Sequence, residues 1–145
     1  MATFNLRLEG LETAIRNIKS YQGAKKAEIV QELDRTALAI ESGAKRNLTR
    51  NGSVDTGRLR SSVVRQATGE YQRTTGTNVE YAAGVEFGTR AHVIRPKNAK
   101  ALKTPFGFFK KVNHPGSRPK PFLFPAAEAE RQRFINNLTV ILNQP

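Results

Sequence analysis

The sequence predicts an α+β fold, in which a small antiparallel β-sheet packs against a long N-terminal helix and a C-terminal helix. Apolar residues recur at helical spacing in both flanking segments, and short alternating runs separated by glycines fill the middle. Helix-like and strand-like patterns are thus segregated along the chain, which is typical of α+β domains. The length of 145 residues suits one domain, and we expect residues 1–145 to form it, with a basic loop or hairpin that protrudes at about 96–117.

The N-terminal segment predicts a strand followed by a short helix. Phe4, Leu6 and Leu8 alternate with polar residues, which is the pattern of a half-buried strand. Gly10 ends this strand, and the short helix is expected to run to about Tyr21.

The longest predicted element is a helix from about Ala24 to Leu48. Gly43 lies inside it and costs about 1 kcal/mol relative to alanine, so we expect a close contact or a bend there. Asn51-Gly52 predicts a turn beyond its end. Steps of three and four place its apolar residues on one face, namely Ala27, Val30, Leu33, Ala37, Ile40, Ala44 and Leu48.

The middle of the chain predicts an antiparallel meander. One face of this sheet is expected to pack on the long helix, while the other meets solvent or a neighbouring molecule. The runs that predict its strands are Val63–Ala67, Thr75–Val79, Ala83–Phe87 and His92–Arg95.

The last part of the chain predicts a C-terminal helix. Pro125 is expected to open it, because proline is favoured at the first helical position. Its buried face is expected to contain Phe134, Leu138 and Ile141, with Ile135 and Leu142 beside them.

Positive charge is concentrated between the meander and the last helix. The formal net charge is +12, and no acidic residue occurs between Glu86 and Glu128. Pro96–Pro121 is rich in lysine, glycine, proline and asparagine, which predicts a long loop or protruding hairpin. The wider segment Phe87–Pro121 contains the aromatic cluster Phe106, Phe108 and Phe109 and the basic residues Arg90, Arg95, Lys97, Lys100, Lys103, Lys110, Lys111, Arg118 and Lys120.

The basic segment has two interpretations. Lysines for phosphates and aromatic rings for stacking are components of a sequence-independent surface for single-stranded nucleic acid. Alternatively, the phenylalanines pack on the domain or insert into a protein partner. Because three phenylalanines within four positions are costly to leave in water, we rank packing or partner insertion first.

We expect no catalytic residue, because no coherent active site can be assembled from the sequence. Asp55-Thr56-Gly57 matches the aspartic-protease triplet, but that chemistry needs two carboxylates that share a proton. Arg58 and Arg60 follow at once and favour an ionised carboxylate. A turn in which Asp55 or Thr56 caps a short helical segment is therefore the preferred interpretation.

No cofactor, metal or membrane is expected as a partner either. The chain has no cysteine, so His92 and His114 would need distant ligands to hold a metal, and we expect both to face solvent. No stretch approaches the roughly 20 apolar residues of a transmembrane helix.

Three stretches, in a fixed order, carry a family resemblance. They are Val54–Val63 (VDTGRLRSSV), Tyr81–Thr89 (YAAGVEFGT) and Arg118–Ala126 (RPKPFLFPA). With the flanking helices they resemble the tail-completion proteins of long-tailed bacteriophages. These are also called head–tail joining or neck proteins and are often labelled minor tail components.

The resemblance implies a structural role in the virion. It implies no catalysis and a ring, commonly of six subunits, between the connector on the head and the end of the tail. The implied partners are neck or connector proteins and the tail terminator or tail tube, with non-specific contact to packaged DNA. The protein would be made in the host cytoplasm and reside in the virion neck. A stand-alone, sequence-independent nucleic-acid-binding protein stays open as the alternative.

The resemblance also implies roles for matched residues. Thr56-Gly57 would supply a sharp turn before a short helix, and Tyr81, Val85 and Phe87 would pack on the core face of the sheet. The matched residues are Asp55, Thr56, Gly57, Leu59, Arg60, Tyr81, Val85, Glu86, Phe87, Gly88, Pro121, Phe122, Leu123 and Pro125.

Glu86 is an acidic residue at the start of the basic tract. We expect it to pair with an arginine of its own or a neighbouring subunit, with Arg58 and Arg60 as candidates. The segment Pro121–Pro125 is expected to anchor the last helix.

Overall fold

A computed structural model of the chain describes residues 4–7, 23–53 and 57–144, the first of these ranges by its backbone alone. The short helix expected before Tyr21, and the capping role expected of Asp55 or Thr56, lie outside these residues. Within them the predicted α+β class is confirmed, with a long N-terminal helix, a C-terminal helix and small antiparallel sheets.

Helix α1, Gly23–Arg50, is the predicted long helix. Its buried stripe begins differently from the prediction, since Ile29 is buried, Ala27 is exposed and Val30 is half-buried. The remainder of the stripe is as expected, with Leu33, Ala37, Ile40, Ala44 and Leu48 all buried.

Helix α2, Arg58–Ser62, follows α1 after a turn. Gly57 precedes it with φ 77°, a left-handed conformation in which glycine carries no Cβ penalty. Leu59 is buried against the end of α1. The short helix expected after Gly57 is therefore confirmed.

The N-terminal strand and two later strands form an antiparallel sheet. β1, Phe4–Arg7, β2, Val64–Gly69, and β3, Gln72–Thr77, lie in the order β1-β3-β2. Alternate residues of β3, including Arg73 and Thr75, are buried on the side of α1, whereas β2 is exposed along its length. One face of the sheet thus packs on the long helix, as predicted.

The prediction of a strand at Ala83–Phe87 is wrong. These residues belong to a short helix, α3, which spans Ala82–Phe87. Ala82 and Glu86 are buried four residues apart, which is a helical spacing. Tyr81 and Phe87 are 43% and 64% exposed, so the expectation that they pack on a core face of the sheet is also wrong.

The segment predicted as a loop or hairpin contains two antiparallel ribbons. β4, His92–Ile94, pairs with β7, Val112–His114. Between them β5, Leu102–Thr104, pairs with β6, Gly107–Phe109. The strand expected at His92–Arg95 therefore exists, but it pairs within this segment and not within a meander.

Helix α4, Leu123–Asn143, packs along α1 and begins two residues before Pro125. The packing is closest at Gly43, where an added Cβ would lie 3.1 Å from the Cβ of Ala126. The expected close contact at Gly43 is confirmed, and its reason is the approach of α4.

The buried face of α4 follows the prediction in part. Phe134 is buried with Ile29 and Leu33 of α1. Ile135 is 45% exposed and does not belong to this face. The residues that pack partly buried around the cluster are Tyr71, Leu138, Ile141 and Leu142.

A larger core cluster lies where α1, α2, α3 and the start of α4 meet. Phe122 and Leu123 are fully buried there, and each such burial contributes about 1.5–3 kcal/mol relative to exposure. Val85 packs partly buried against this cluster and not on the sheet. The members of the cluster are Ile40, Ala44, Leu48, Leu59, Val63, Val79, Ala82, Phe122, Leu123 and Ala126.

A polar junction also ties α1 to α4. The Glu32 carboxylate accepts hydrogen bonds from Arg35 at 2.6 and 2.9 Å and from Asn137 Nδ2 of α4 at 3.1 Å. The hydrogen bonds from Arg35 hold the pKa of Glu32 below its usual range, although burial opposes this effect.

Among the residues that the structure describes, none of the helices meets the length and hydropathy needed to span a bilayer.

Candidate assembly surface

Residues 90–116, which we call the arm, leave and rejoin the rest of the described chain at one point. Thr89 and Ser117 exchange a pair of backbone hydrogen bonds, each 3.0 Å long. Their hydroxyl oxygens are also 3.0 Å apart. The two ends of the arm are therefore held side by side.

Two glycines allow this close approach. Gly88 has φ 74°, and an added Cβ would lie 2.6 Å from the carbonyl oxygen of Ser117. Gly116 has φ 88°, and its added Cβ would collide with the carbonyl oxygen of Thr89. Any larger residue at either position would force the ends of the arm apart.

Close to the base of the arm in the chain, Glu86 binds the start of α4. Its carboxylate accepts hydrogen bonds from the backbone N–H groups of Phe122 at 2.8 Å, Leu123 at 3.0 Å and Phe124 at 2.9 Å. We call this arrangement the clasp. The first N–H groups of a helix have no partner within the helix, and a negative charge is favoured at that end. The clasp supplies both the acceptor and the charge.

The sequence around the clasp completes the capping. Pro125 follows Phe124 and has no N–H group to satisfy. The carbonyl of Phe122 accepts a hydrogen bond from Asn47 Nδ2 of α1 at 3.0 Å, and Lys120 N donates to the carbonyl of Val85 at 2.8 Å. The stretches Tyr81–Thr89 and Arg118–Ala126, far apart in the chain, therefore meet here.

The prediction that Glu86 pairs with an arginine is wrong. Its side chain is 2% exposed and bonds to backbone, not to an arginine. Arg58 instead pairs with Glu80 at 3.1 Å, and Arg60 is exposed. A hydrogen bond from its own backbone and the nearby Arg58 guanidinium hold the pKa of Glu80 below its usual range.

The base of the arm is a two-stranded ribbon with a histidine pair. His92 and His114 lie opposite each other in the β4–β7 register, and their rings stack with centroids 5.0 Å apart. His92 Nδ1 is 2.8 Å from the carbonyl oxygen of Arg90, and Gly116 N donates to His114 Nδ1 at 3.0 Å. Two histidines that are 22 positions apart in the sequence are thus neighbours, which their spacing did not indicate.

The outer part of the arm is a tight hairpin. The hydroxyl of Thr104 donates to the carbonyl of Gly107 at 3.0 Å and accepts from the N–H of Phe106 at 3.2 Å. Gly107 has φ 125°, which a residue with a side chain rarely adopts.

No residue of the arm is buried in the described structure, and its aromatic tip is open. The exposed fractions are 91% for Phe106, 73% for Phe108 and 43% for Phe109. Of the two alternatives ranked first, packing on the domain is therefore wrong for Phe106 and Phe108, and insertion into a protein partner stays a prediction. Every basic residue of the Phe87–Pro121 segment is exposed, and none forms an ion pair with a described residue.

Outside the arm, a binding site on the described surface would be a groove or a group of metal ligands. A shallow groove of about 490 Å³ lies on the outer face of β2 and β3 and is lined by neutral side chains such as Gln66, Thr68 and Thr74. No group of three or more potential metal ligands occurs among residues whose positions are described.

Comparison with known proteins gives one family. A family model described as "Bacteriophage HK97-gp10, putative tail-component" matches residues 12–88. No curated protein and no solved structure matches the chain significantly. The matched range ends at Gly88, two residues before the arm begins.

Proposed function

The chain belongs to the HK97-gp10-like family of bacteriophage tail components, and we propose that it is a ring-forming neck subunit that joins the tail to the DNA-filled head. The family match spans residues 12–88, just over half of the chain. A tail component interacts with other virion proteins, and the family description points to a structural and not an enzymatic role. The ring, its position in the neck and its partners are our proposal.

The observation that supports this role most directly is the arm on its fixed base. The arm has 27 residues and no buried side chain, so it has no hydrophobic core of its own. The clasp and the two glycines nevertheless hold its base in place. Exposed apolar side chains gathered in one place mark interaction sites. A subunit whose task is attachment needs such a surface.

In a ring, each subunit contacts the next one head to tail, so one surface of a subunit binds a different surface of its neighbour. Each subunit therefore needs two distinct contact surfaces. We assign these contacts to the body, by which we mean the described residues outside the arm. Phe87 and Phe124 flank the clasp and are 64% and 58% exposed, and Val140 of α4 is 57% exposed. Subunits with a net charge of +12 repel one another, so the arms must point toward something negative.

The experiment that tests this function is inactivation of the gene in the phage or prophage that encodes the chain. We expect filled heads and complete tails that do not join, and rescue by the unaltered chain supplied in trans. Joined, infectious particles without the protein would contradict the proposal. The purified chain mixed with its neck partners should sediment as a ring, and a chain that stays monomeric in that mixture would contradict the ring.

A second candidate function is supported by the exposed cations of the arm, none of which forms an ion pair with a described residue. A stand-alone nucleic-acid-binding protein would bind DNA or RNA tightly and saturably as a monomer, with affinity that falls steeply as salt is raised. Weak, non-saturable binding at physiological salt would remove this candidate.

A further inference from the structure

We propose that the tip of the arm, formed by Phe106, Phe108 and Phe109 with Lys103, Lys110 and Lys111, inserts into an acidic, apolar-lined groove of a different virion protein. This inference rests on the proposed role at the neck and adds the kind of partner that the arm fits.

In the structure of the chain alone the tip already forms a hairpin with a defined register. The register pairs Lys103 with Phe108 and Leu102 with Phe109, and the Thr104 hydroxyl closes the turn. A hairpin whose shape is already set loses less conformational freedom on binding than a flexible loop does. An isolated two-stranded hairpin is only marginally stable in water, so cover from a partner would also stabilise it.

The arrangement of the rings favours a groove over a stack of bases. Consecutive side chains of a strand point to opposite faces, so Phe108 and Phe109 lie on opposite sides of the hairpin. Phe106 lies in the turn between the strands. A single strand of nucleic acid stacks its bases on rings that follow one another along one surface. The phenyl rings of this hairpin instead lie on both of its faces and at its end. A partner can cover all three only if it surrounds the hairpin, as a protein groove does.

The charges define the chemistry of that groove. Lys103, Lys110 and Lys111 adjoin the rings and are exposed, and the segment between Glu86 and Glu128 contains no acidic residue. Lysine side chains can lay their methylene stems on an apolar surface while the ammonium groups reach a polar rim. Carboxylates around the mouth of the groove would match them and steer the association.

A second copy of this chain is a poor partner for the tip. The groove on β2 and β3 is lined by neutral residues. Of the five exposed acidic side chains in the described residues, Glu80 pairs with Arg58, Asp34 with Arg73 and Glu128 with Arg131. The other two are Glu28 and Glu70. A net charge of +12 on each copy opposes the approach of a basic arm. The groove on β2 and β3 is therefore not the acidic groove that the tip requires, and the charge of a second copy opposes its approach.

The test places the photoreactive amino acid p-benzoylphenylalanine at position 106 and irradiates purified particles. Position 106 is suited to this probe because its ring is already aromatic and 91% exposed. We expect an adduct with another virion protein that nuclease does not remove and whose cross-linked peptide contains several Asp or Glu residues. In the same background K103E together with K110E should abolish the adduct. The matched reversals R46E together with R133E, on exposed positions of the helices, should leave it in place.

Three results would overturn the inference. They are an adduct with a second copy of the chain, an adduct with DNA that nuclease removes, and no adduct at all from particles that contain the protein. Failure of the proposed function is a separate result, because particles that lack the gene would then still join heads to tails, whatever adduct the tip forms.

Discussion

At the scale of single residues, Glu86 performs several structural tasks at once. It is part of α3, and it satisfies three N–H groups at the start of α4. It also lies three residues before Thr89, which forms the clamped base of the arm. A buried carboxylate is tolerated only with such partners, because an unpaired buried charge is strongly destabilising. The fold of the body and the placement of the arm therefore depend on the same side chain.

The first prediction concerns this carboxylate. E86Q keeps one acceptor oxygen but turns an NH₂ group toward backbone donors, so buried hydrogen-bonding groups lose their partners. We expect the free energy of unfolding to fall by about 2–4 kcal/mol, measured by urea denaturation. The matched control is E80Q, which alters an exposed pair with Arg58 and should leave the urea midpoint close to that of the parent chain. Equal midpoints for the two variants would contradict the clasp.

The role of Glu86 could not be read from its surroundings in the sequence. A glutamate beside a basic tract favours an ion pair, yet its partners are backbone groups 36 to 38 residues away. Only the path of the chain brings Phe122 to it. The local signal that was present is the spacing of Ala82, Val85 and Glu86, which is helical and competes with the alternation of Val85 and Phe87.

At the scale of elements, the packing of α1 on α4 is the main support of the body. Gly43 lets the helices approach at Ala126, and the Glu32 junction joins them further along. The sequence predicted both helices because their apolar periodicity is long and regular. The sequence did not predict where the buried face of each helix begins, because single exposed residues such as Ala27 fit the same periodicity.

The second prediction tests this contact. G43L would place a large side chain where a Cβ already lies 3.1 Å from Ala126, so the helices must separate. We expect a loss of about 1–3 kcal/mol in the free energy of unfolding, measured by urea denaturation. Q31L, at an exposed position of the same helix, serves as the control and should change stability by no more than about 0.5 kcal/mol. A G43L variant as stable as Q31L would argue against close packing.

The third prediction concerns acid stability. The pKa of Glu32 is held below its usual value of 4.5, chiefly by Arg35, so the folded state binds fewer protons than the unfolded state in that range. Its stabilising contribution is therefore complete above pH 4.5 and is lost as the pH falls through the folded-state pKa. Urea midpoints measured from pH 7 to pH 3 should fall more steeply for the parent chain than for E32Q. Parallel curves would show that Glu32 has no such role.

At the scale of the whole molecule, the chain divides into a packed body and an arm without a core. From charge and composition the sequence predicted a protruding segment at about 96–117, whereas the arm of the structure spans residues 90–116. The ribbons within the arm were not predicted, because three-residue strands carry too little periodicity. Its exposed rings follow from the absence of anything in the described body that could cover them.

The fourth prediction separates the two parts. Replacing residues 90–116 by a short glycine–serine turn between Thr89 and Ser117 removes no buried side chain. We expect the free energy of unfolding to change by no more than about 1 kcal/mol, since loop-closure entropy depends weakly on length. The same variant should fail to rescue particles that lack the gene. A large loss of stability would mean that the arm is part of the folded core.

The central claim, that this chain forms a ring at the joint between head and tail, is tested most directly by cryo-electron microscopy of intact particles. We predict a closed ring in the neck whose subunits each fit the α1–α4 pair, with the tip of every arm seated in an adjoining protein of the neck or tail. Density for this fold elsewhere in the particle, or a neck with no copy of it, would contradict the claim.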